Sequence, residues 1–461
     1  MTAEDVAGRW LGRLQRDGRP VYLALAEALE AAVRDGELQP GDQLPPQRAV
    51  AERLGVDLTT VTRAYGAARA RGLVEGTVGR GTFIRARADE DDGGLVDLSM
   101  NLPPPPEGLS LGALLKDGAR AVLDRADAAT LMSYHPGAGT LGQKVAAAAW
   151  LAPTLGNVAP ERVLIAPGAQ AALSAIIGAM LRPGEALVVE PLTYPGVKAA
   201  AALHGVRLIP CPVDPEGFVP EALERTLRLE GASGVYLIPT TQNPTAATMG
   251  AERRRTVAGI VTAAKAWLIE DDPYGRLFDA PAPAVASFAP DRSFHIATLS
   301  KVLSPGLRTA FVAPPPGEPA ERLAEALRAT ALMPSPLMTA LVASWIRDGT
   351  AEALLHGVRR EARARRALAA ELLPQARGAA EAIHVWLDLP DRGSPAEIRL
   401  MGQARGLALV GADAFAVEGA EVTPGVRISL GGPAKRAVLA EALKALADLA
   451  RAPAGPGALV V

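Results

Sequence analysis

The chain has 461 residues, 49% hydrophobic and 21% charged, with a formal net charge of −2 at pH 7. That length predicts two or more domains, and that mixture excludes a disordered polymer or a protein basic throughout. A single cysteine, Cys211, excludes an internal disulfide and argues against a cysteine-based metal site, so no metal is expected. The longest near-apolar stretch, residues 169–181, falls short of the roughly 20 residues that cross a bilayer. Met1-Thr2-Ala3-Glu4-Asp5 lacks the basic and apolar regions of a signal peptide, and a cytoplasmic protein is expected.

Residues 21–35 place apolar side chains at helical spacing, and Gly36 ends the run. Pro40-Gly41-Asp42 predicts a turn. A second helix over 46–54 stops at Gly55. Asp57 can cap a third helix from Leu58, because its carboxylate accepts from the exposed N–H groups of the first turn. Gly72 closes that helix, and residues 73–84 alternate around Gly76, Gly79 and Gly81 as a β-hairpin would. Helix, short turn, helix and hairpin make the winged helix-turn-helix plan, with the later helix entering the major groove of DNA. Over residues 45–87 eight arginines stand against three acids, the pattern of a local phosphate-binding surface. Solvated arginines scattered along an arginine-rich chain are the alternative. The acidic, glycine-containing stretch 88–94 predicts a short linker, so the N-terminal domain is expected at 1–87 and the C-terminal one at 95–461.

From Val96 onward short apolar runs alternate with Ala/Leu-rich helical stretches, which predicts a mostly parallel α/β sheet. Five runs stop at polar clusters: Pro167-Gly168-Ala169-Gln170, Glu190 to Tyr194, Thr240 to Thr245, Glu270 to Tyr274, and Thr298-Leu299-Ser300-Lys301. Parallel sheets bind ligands beyond the carboxyl ends of their strands, so these clusters are expected to converge. Lys301 can form a Schiff base with an aldehyde cofactor if its amine is partly desolvated. A lysine in a loop is otherwise an ordinary surface residue; here the neighbours argue for chemistry. Arg308 and Thr298 carry donors suited to a phosphate dianion, and Gly168, Ala169 and Gln170 open a helix whose N–H groups favour one. Asp271 can keep a pyridine nitrogen protonated, with Asp272 a competitor for that task. Asn243 and Tyr274 can donate to a phenolic oxygen, and Tyr194 can stack on a ring.

At these residues the chain resembles the pyridoxal-phosphate-dependent aminotransferases of fold type I, over residues 96–452, with large and small subdomains. The resemblance implies that Lys301 binds pyridoxal 5'-phosphate and that Asp271 partners its ring nitrogen. It also implies that Tyr194 stacks on the ring, that Asn243 and Tyr274 contact its phenolic oxygen, and that Gly168, Ala169, Gln170, Thr298 and Arg308 surround the phosphate. Tyr134, in Tyr134-His135-Pro136-Gly137, is similar to the tyrosine that reaches the phosphate of a partner subunit, which implies a homodimer. Arg427 is similar to the arginine that grips an amino-acid carboxylate, an ordinary strand arginine being the alternative. Ala246 stands where the family usually has glycine, and Thr298 where it has serine. The segment Asp97-Leu98-Ser99-Met100-Asn101-Leu102-Pro103 is expected near the substrate mouth.

Leu44-Pro45-Pro46-Gln47-Arg48, Thr59-Thr60-Val61-Thr62-Arg63 and Gly79-Arg80-Gly81-Thr82-Phe83 resemble the GntR winged helix. Family positions imply that Arg48, Thr59, Thr60, Arg63 and Arg80 face DNA, with Val61 and Tyr65 in the core. Leu58 replaces a residue that would contact DNA, so target sequence or affinity is expected to differ. The union of the two parts resembles the MocR subfamily of GntR regulators. The expected function is a promoter-binding transcription factor that senses pyridoxal phosphate, an amino compound, or both. An aminotransferase with an appended DNA-binding module is the alternative.

Overall fold

The N-terminal unit is built from α1 (Val21–Arg34), α2 (Gln47–Leu54), α3 (Leu58–Ala70), β1 (Val74–Thr77) and β2 (Gly81–Ile84). The computed structural model describes residues 10–14, 20–35, 37–38, 42–71, 73–77, 81–84, 95–125, 127–135, 138–389 and 395–451. Arg80, Gly36, Pro40, Gly41, Gly72, Gly79, Pro136, Gly137, the first five residues and the 88–94 linker lie outside them. α2 ends at Gly55, whose φ of +61° suits a residue without Cβ. Asp57 then caps α3, accepting from the Thr59 amide at 2.7 Å and the Thr59 hydroxyl at 2.6 Å. β1 and β2 pair antiparallel from Val74↔Ile84 to Thr77↔Gly81. Trp10, Leu25, Leu29, Val50, Val61, Ala64, Tyr65 and Ile84 form the core of this unit. Tyr65 buries its ring there and donates its hydroxyl to the Pro45 carbonyl at 2.8 Å.

The second unit spans Leu95–Val461. Its large sheet contains β3 (Leu164–Ala166), β4 (Ala186–Val189), β5 (Arg207–Pro210), β6 (Gly234–Leu237), β7 (Trp267–Asp271), β8 (Ser293–Thr298) and β9 (Ala310–Ala313). Their order is β3-β9-β8-β7-β6-β4-β5. β9 runs antiparallel to both its neighbours, while the other pairs are parallel. The strands are apolar on both faces, as a sheet covered by helices requires. Leu187, Val189, Tyr236, Ile269 and Ile296 enter one core, and Ala186, Val188, Val235, Leu237 and Leu268 enter the other. That alternation sends Asp271 to the Tyr236 face and Glu270 to the opposite one.

A smaller lobe carries β10 (His384–Asp388), β11 (Val410–Gly411) and β12 (Gly425–Ser429), in the order β10-β12-β11. Helices Thr350–Leu372 and Arg436–Arg451 supply much of its core, which also takes in Leu98. Val96–Asp97 adds a short parallel pair with Leu407–Ala408, so the beginning of this unit is stitched into the small lobe. Among the described residues no helix is long and apolar enough to cross a membrane, and no His, Cys, Asp and Glu group could hold a metal ion.

Tyr65→Phe keeps the ring and deletes the buried bond to Pro45. It should cost the N-terminal unit about 1 kcal/mol, read as a lower denaturant midpoint with an unchanged slope; an unchanged midpoint would discount that bond.

Candidate cofactor site and DNA-reading surface

The large sheet delivers the site residues at its strand ends. Gly168 follows β3 and caps the helix Ala169–Met180. Tyr194, after β4, precedes the helix Pro195–Leu203. Asn243 follows β6, Asp271 is the last residue of β7, and Thr298 and Lys301 sit at and after the end of β8. Arg308 leans on the start of the Ala169–Met180 helix, its guanidinium 3.5 Å from the Pro167 carbonyl. A Cβ on Gly168, whose φ is +100°, would meet that guanidinium at 2.6 Å, so only glycine leaves the cradle open. Thr298 donates its hydroxyl to Ser300 Oγ at 3.1 Å and accepts the Ser300 amide at 3.2 Å. Gln170 donates to the Gly196 carbonyl at 2.9 Å.

Asp271 is anchored by one oxygen only. Tyr236 donates its hydroxyl to Oδ2 at 3.0 Å, while Oδ1 is buried without a partner. Asp272 is committed elsewhere, since its Oδ1 accepts the Gly275 amide at 2.7 Å in the turn that carries Tyr274. The two neighbouring carboxylates therefore have different work. Burial raises the Asp271 carboxyl to about 7, against the opposing pull of the Tyr236 bond. Burial likewise lowers the Lys301 amine to about 8, with Arg427 adding to the effect and Asp271 resisting it.

Arg427 lies on β12 and donates through Nη1 to Asn243 Oδ1 at 2.7 Å and through Nη2 to the Ser99 carbonyl. Lys301 donates to the Asn101 carbonyl at 2.6 Å. The Asn101 side-chain amide donates to the Tyr274 hydroxyl at 2.8 Å and meets His384 Nδ1 at 2.9 Å. His384 is pushed down to about 3 by burial and by Arg427. The neutral ring thus accepts at Nδ1 and donates from Nε2 to the Gln242 carbonyl at 3.0 Å.

Of the predicted cofactor-site residues, Tyr134 is the one set apart, 80% exposed on the surface of the large lobe. Sequence reasoning missed Tyr236, Asn101 and His384 as individual contributors. Buried polar residues inside apolar strands were the available signal for Tyr236 and His384. Thr241, Ala246 and Arg308 carry positive φ of +50°, +58° and +43°, so non-glycine strain gathers around the site.

In the N-terminal unit Arg48, Leu58, Thr59 and Arg63 are exposed and Thr60 is half-buried. The Arg63 guanidinium stacks 4.0 Å over the Tyr22 ring of α1. Leu58 opens α3 with 39% of its surface exposed.

The residues fit a phosphorylated pyridine aldehyde. A helix N-terminus and Arg308 offer donors to a dianion, Asp271 Oδ1 offers an unpaired acceptor to a ring N–H, and Lys301 offers an amine. The comparisons agree. Residues 94–446 match the model of the aminotransferase class I and II family, and residues 21–84 match that of bacterial regulatory proteins of the gntR family. The chain is 33% identical over 441 residues to the uncharacterized HTH-type transcriptional regulator YdeF of Bacillus subtilis, covering 93% of this chain and 94% of that protein. It is 29% identical to the probable rhizopine catabolism regulatory protein MocR of Rhizobium meliloti, over 75% of this chain and 76% of that protein. Among solved structures, LysN of Thermus thermophilus superposes with a TM-score of 0.69. That alpha-aminoadipate aminotransferase, complexed with N-(5'-phosphopyridoxyl)-L-leucine, is 27% identical and covers 82% of this chain and 95% of its own.

Fold and matches define a helix-turn-helix DNA-binding protein whose larger domain has the aminotransferase fold. The chain belongs to the aminotransferase class I and II family through that domain and, as a whole, to the MocR-type GntR transcriptional regulators. Its cofactor is pyridoxal 5'-phosphate.

Two measurements probe this geometry. Lys301 is neutral above about pH 8, so the rate at which the apo protein captures pyridoxal phosphate should climb through that pH and then level. Lys301→Ala should abolish the absorbance band, and a profile flat from pH 7 to 9 would contradict a depressed lysine. Separately, Ala246→Gly places the residue suited to positive φ at that position. It should raise stability by roughly 1 kcal/mol, seen as a higher unfolding midpoint; a lower midpoint would refute local strain.

Proposed function

We propose that this protein is a homodimeric, cytoplasmic transcription regulator that reads promoter DNA with its winged helix. Its aminotransferase-like domain then senses pyridoxal phosphate and an amino acid or amine. The observation that carries the reading is a full set of cofactor-holding groups in a chain that also begins with a GntR unit.

Each residue has a definite task in this reading. Gly168, Ala169, Gln170, Thr298 and Arg308 bind the phosphate. Asp271, held by Tyr236, presents its unpartnered Oδ1 to the ring nitrogen. Asn243 gives its carbonyl oxygen to Arg427, which leaves its amide N–H for the phenolic oxygen beside the Tyr274 hydroxyl. Tyr194 stacks, and Lys301 supplies the amine. When bound, pyridoxal phosphate supplies a carbonyl that amines attack and a ring that withdraws electrons from them. Arg427 takes the carboxylate of an amino-acid effector. Tyr134 belongs to a dimer face: Met132, Leu141 and Leu332, on neighbouring segments of the large lobe, expose more than half of their surface. A cavity of about 450 Å³ lies among the same segments, lined by Leu131, His135, Met333 and Pro336. Arg48, Thr59, Thr60, Arg63 and the wing residue Arg80 meet DNA, arginines supplying phosphate contacts and Arg63 a guanine edge.

Sensing requires that ligands bind two DNA-competent arrangements unequally. Footprints on the promoter beside this gene should therefore differ between apo and cofactor-loaded protein, with Lys301→Ala remaining apo-like. Identical footprints from all three would end the sensing reading.

A second reading is favoured by one observation, the presence together of Lys301, Asp271 and Arg427: the domain is a working aminotransferase. Sustained release of 2-oxo acid over many turnovers would establish it, whereas a single half-reaction would keep the regulator.

A further inference from the structure

The stretch from Asp97 to Asn101 crosses the candidate site and uses its own main chain to hold two of the cations there, Lys301 and Arg427. The Ser99 carbonyl accepts from Arg427, and the Asn101 carbonyl accepts from Lys301 at 2.6 Å. A built turn aims the first of these. Asp97 Oδ1 accepts the Ser99 amide at 2.7 Å, the Ser99 hydroxyl at 2.7 Å and the Met100 amide at 3.2 Å. Behind the turn the strap is fixed to the small lobe. Val96 donates to the Gly406 carbonyl at 2.7 Å, Leu98 to the Ala408 carbonyl at 3.0 Å, and Ser429 to the Leu98 carbonyl at 2.9 Å. Ahead of it, Asn101 ties Tyr274 of the large lobe to His384 of the small one.

We propose that Asp97 to Asn101 is an internal ligand of the effector site, occupying the arginine that a carboxylate must reach, so that a carboxylate-bearing effector binds by expelling it. This rests on the reading of Arg427 as the carboxylate grip. A carbonyl brings only a dipole to the guanidinium, whereas a carboxylate brings a full charge and two acceptor oxygens that can meet it side by side. The strap is therefore strong enough to fill the subsite and weak enough to yield. An amine without a carboxylate has nothing to offer Arg427 and leaves it in place. The strap begins three residues after Gly94, where the N-terminal unit ends, so the segment displaced is the one that leads to the DNA reader.

The test uses the cofactor-loaded full-length protein titrated with glycine and with methylamine, which differ by the carboxylate, following the cofactor absorbance. Asp97→Asn keeps the turn and removes the charge near Arg427; Asp97→Ala removes both. The difference between the two variants isolates the turn. Asp97→Ala should bind glycine about tenfold more tightly than Asp97→Asn, the equivalent of one net hydrogen bond, with methylamine binding equal in both. Its affinity for the promoter fragment without glycine should match that of the unsubstituted protein with saturating glycine. Equal glycine affinities in the two variants would overturn the strap while leaving Arg427's role standing. If Arg427→Lys weakens glycine no more than methylamine, or if glycine perturbs none of the proteins, the carboxylate reading itself falls and the strap falls with it.

Discussion

Three cations, Lys301, Arg308 and Arg427, converge on a space answered by two carboxylates, Asp271 beside Lys301 and Asp97 beside Arg427, and the rest of the domain is arranged around that imbalance. Charges in such a space interact far more strongly than in water. Burial lowers the Lys301 amine and raises the Asp271 carboxyl, so each group sits closer to neutrality than it would in solvent. What remains is a surplus of donors that favours anionic guests. In the proposed reading a phosphate answers Arg308 and the helix start at Gly168, and a carboxylate answers Arg427. His384 fits the same logic, because a second proton on its ring would add a further positive charge beside Arg427.

Much of this was legible along the chain because the chemistry is delivered by short motifs at strand ends. Lys301, Arg308, Asp271, Tyr274 and Asn243 each follow an apolar run, and the parallel sheet turns five separated runs into one edge. Asp57 as a cap, and Val61 and Tyr65 as core, were equally local. What could not be read were pairings across long separations. Asn101 lies 173 residues from Tyr274 and 283 from His384, and Ser99 lies 328 from Arg427. Tyr236 stands out as a polar-tipped residue in an apolar strand, but only the sheet alternation puts it on the face of Asp271. The departure from the expected glycine at Ala246 was visible in sequence, but its meaning needed the φ of +58°, a conformation that suits glycine.

The N-terminal unit shows how a local departure is absorbed. The Thr59 hydroxyl is already given to Asp57, and the Thr62 hydroxyl donates to Gln47 at 2.8 Å, so the start of α3 spends its polar side chains on folding. Leu58 adds an exposed apolar residue to that start. Arg63 by contrast is stacked on Tyr22, which limits its rotamers, so the base contact proposed for it would cost less entropy. Under the proposed DNA-reading role, a helix with that division of labour would rely on arginines more than on hydroxyls for readout.

In the proposed reading, the wall of the effector site is also the doorway of the domain. The segment that meets Arg427 and Lys301 is also tied to the small lobe by Val96, Leu98 and Ser429. Its competition reduces apparent affinity by the fraction of time the subsite is open. The same competition creates coupling, since whatever holds residues 97 to 101 must weaken the effector and be weakened by it to the same extent. If the proposed strap is right, promoter DNA that favoured one of its positions would alter the response to an amino acid with no change at Lys301.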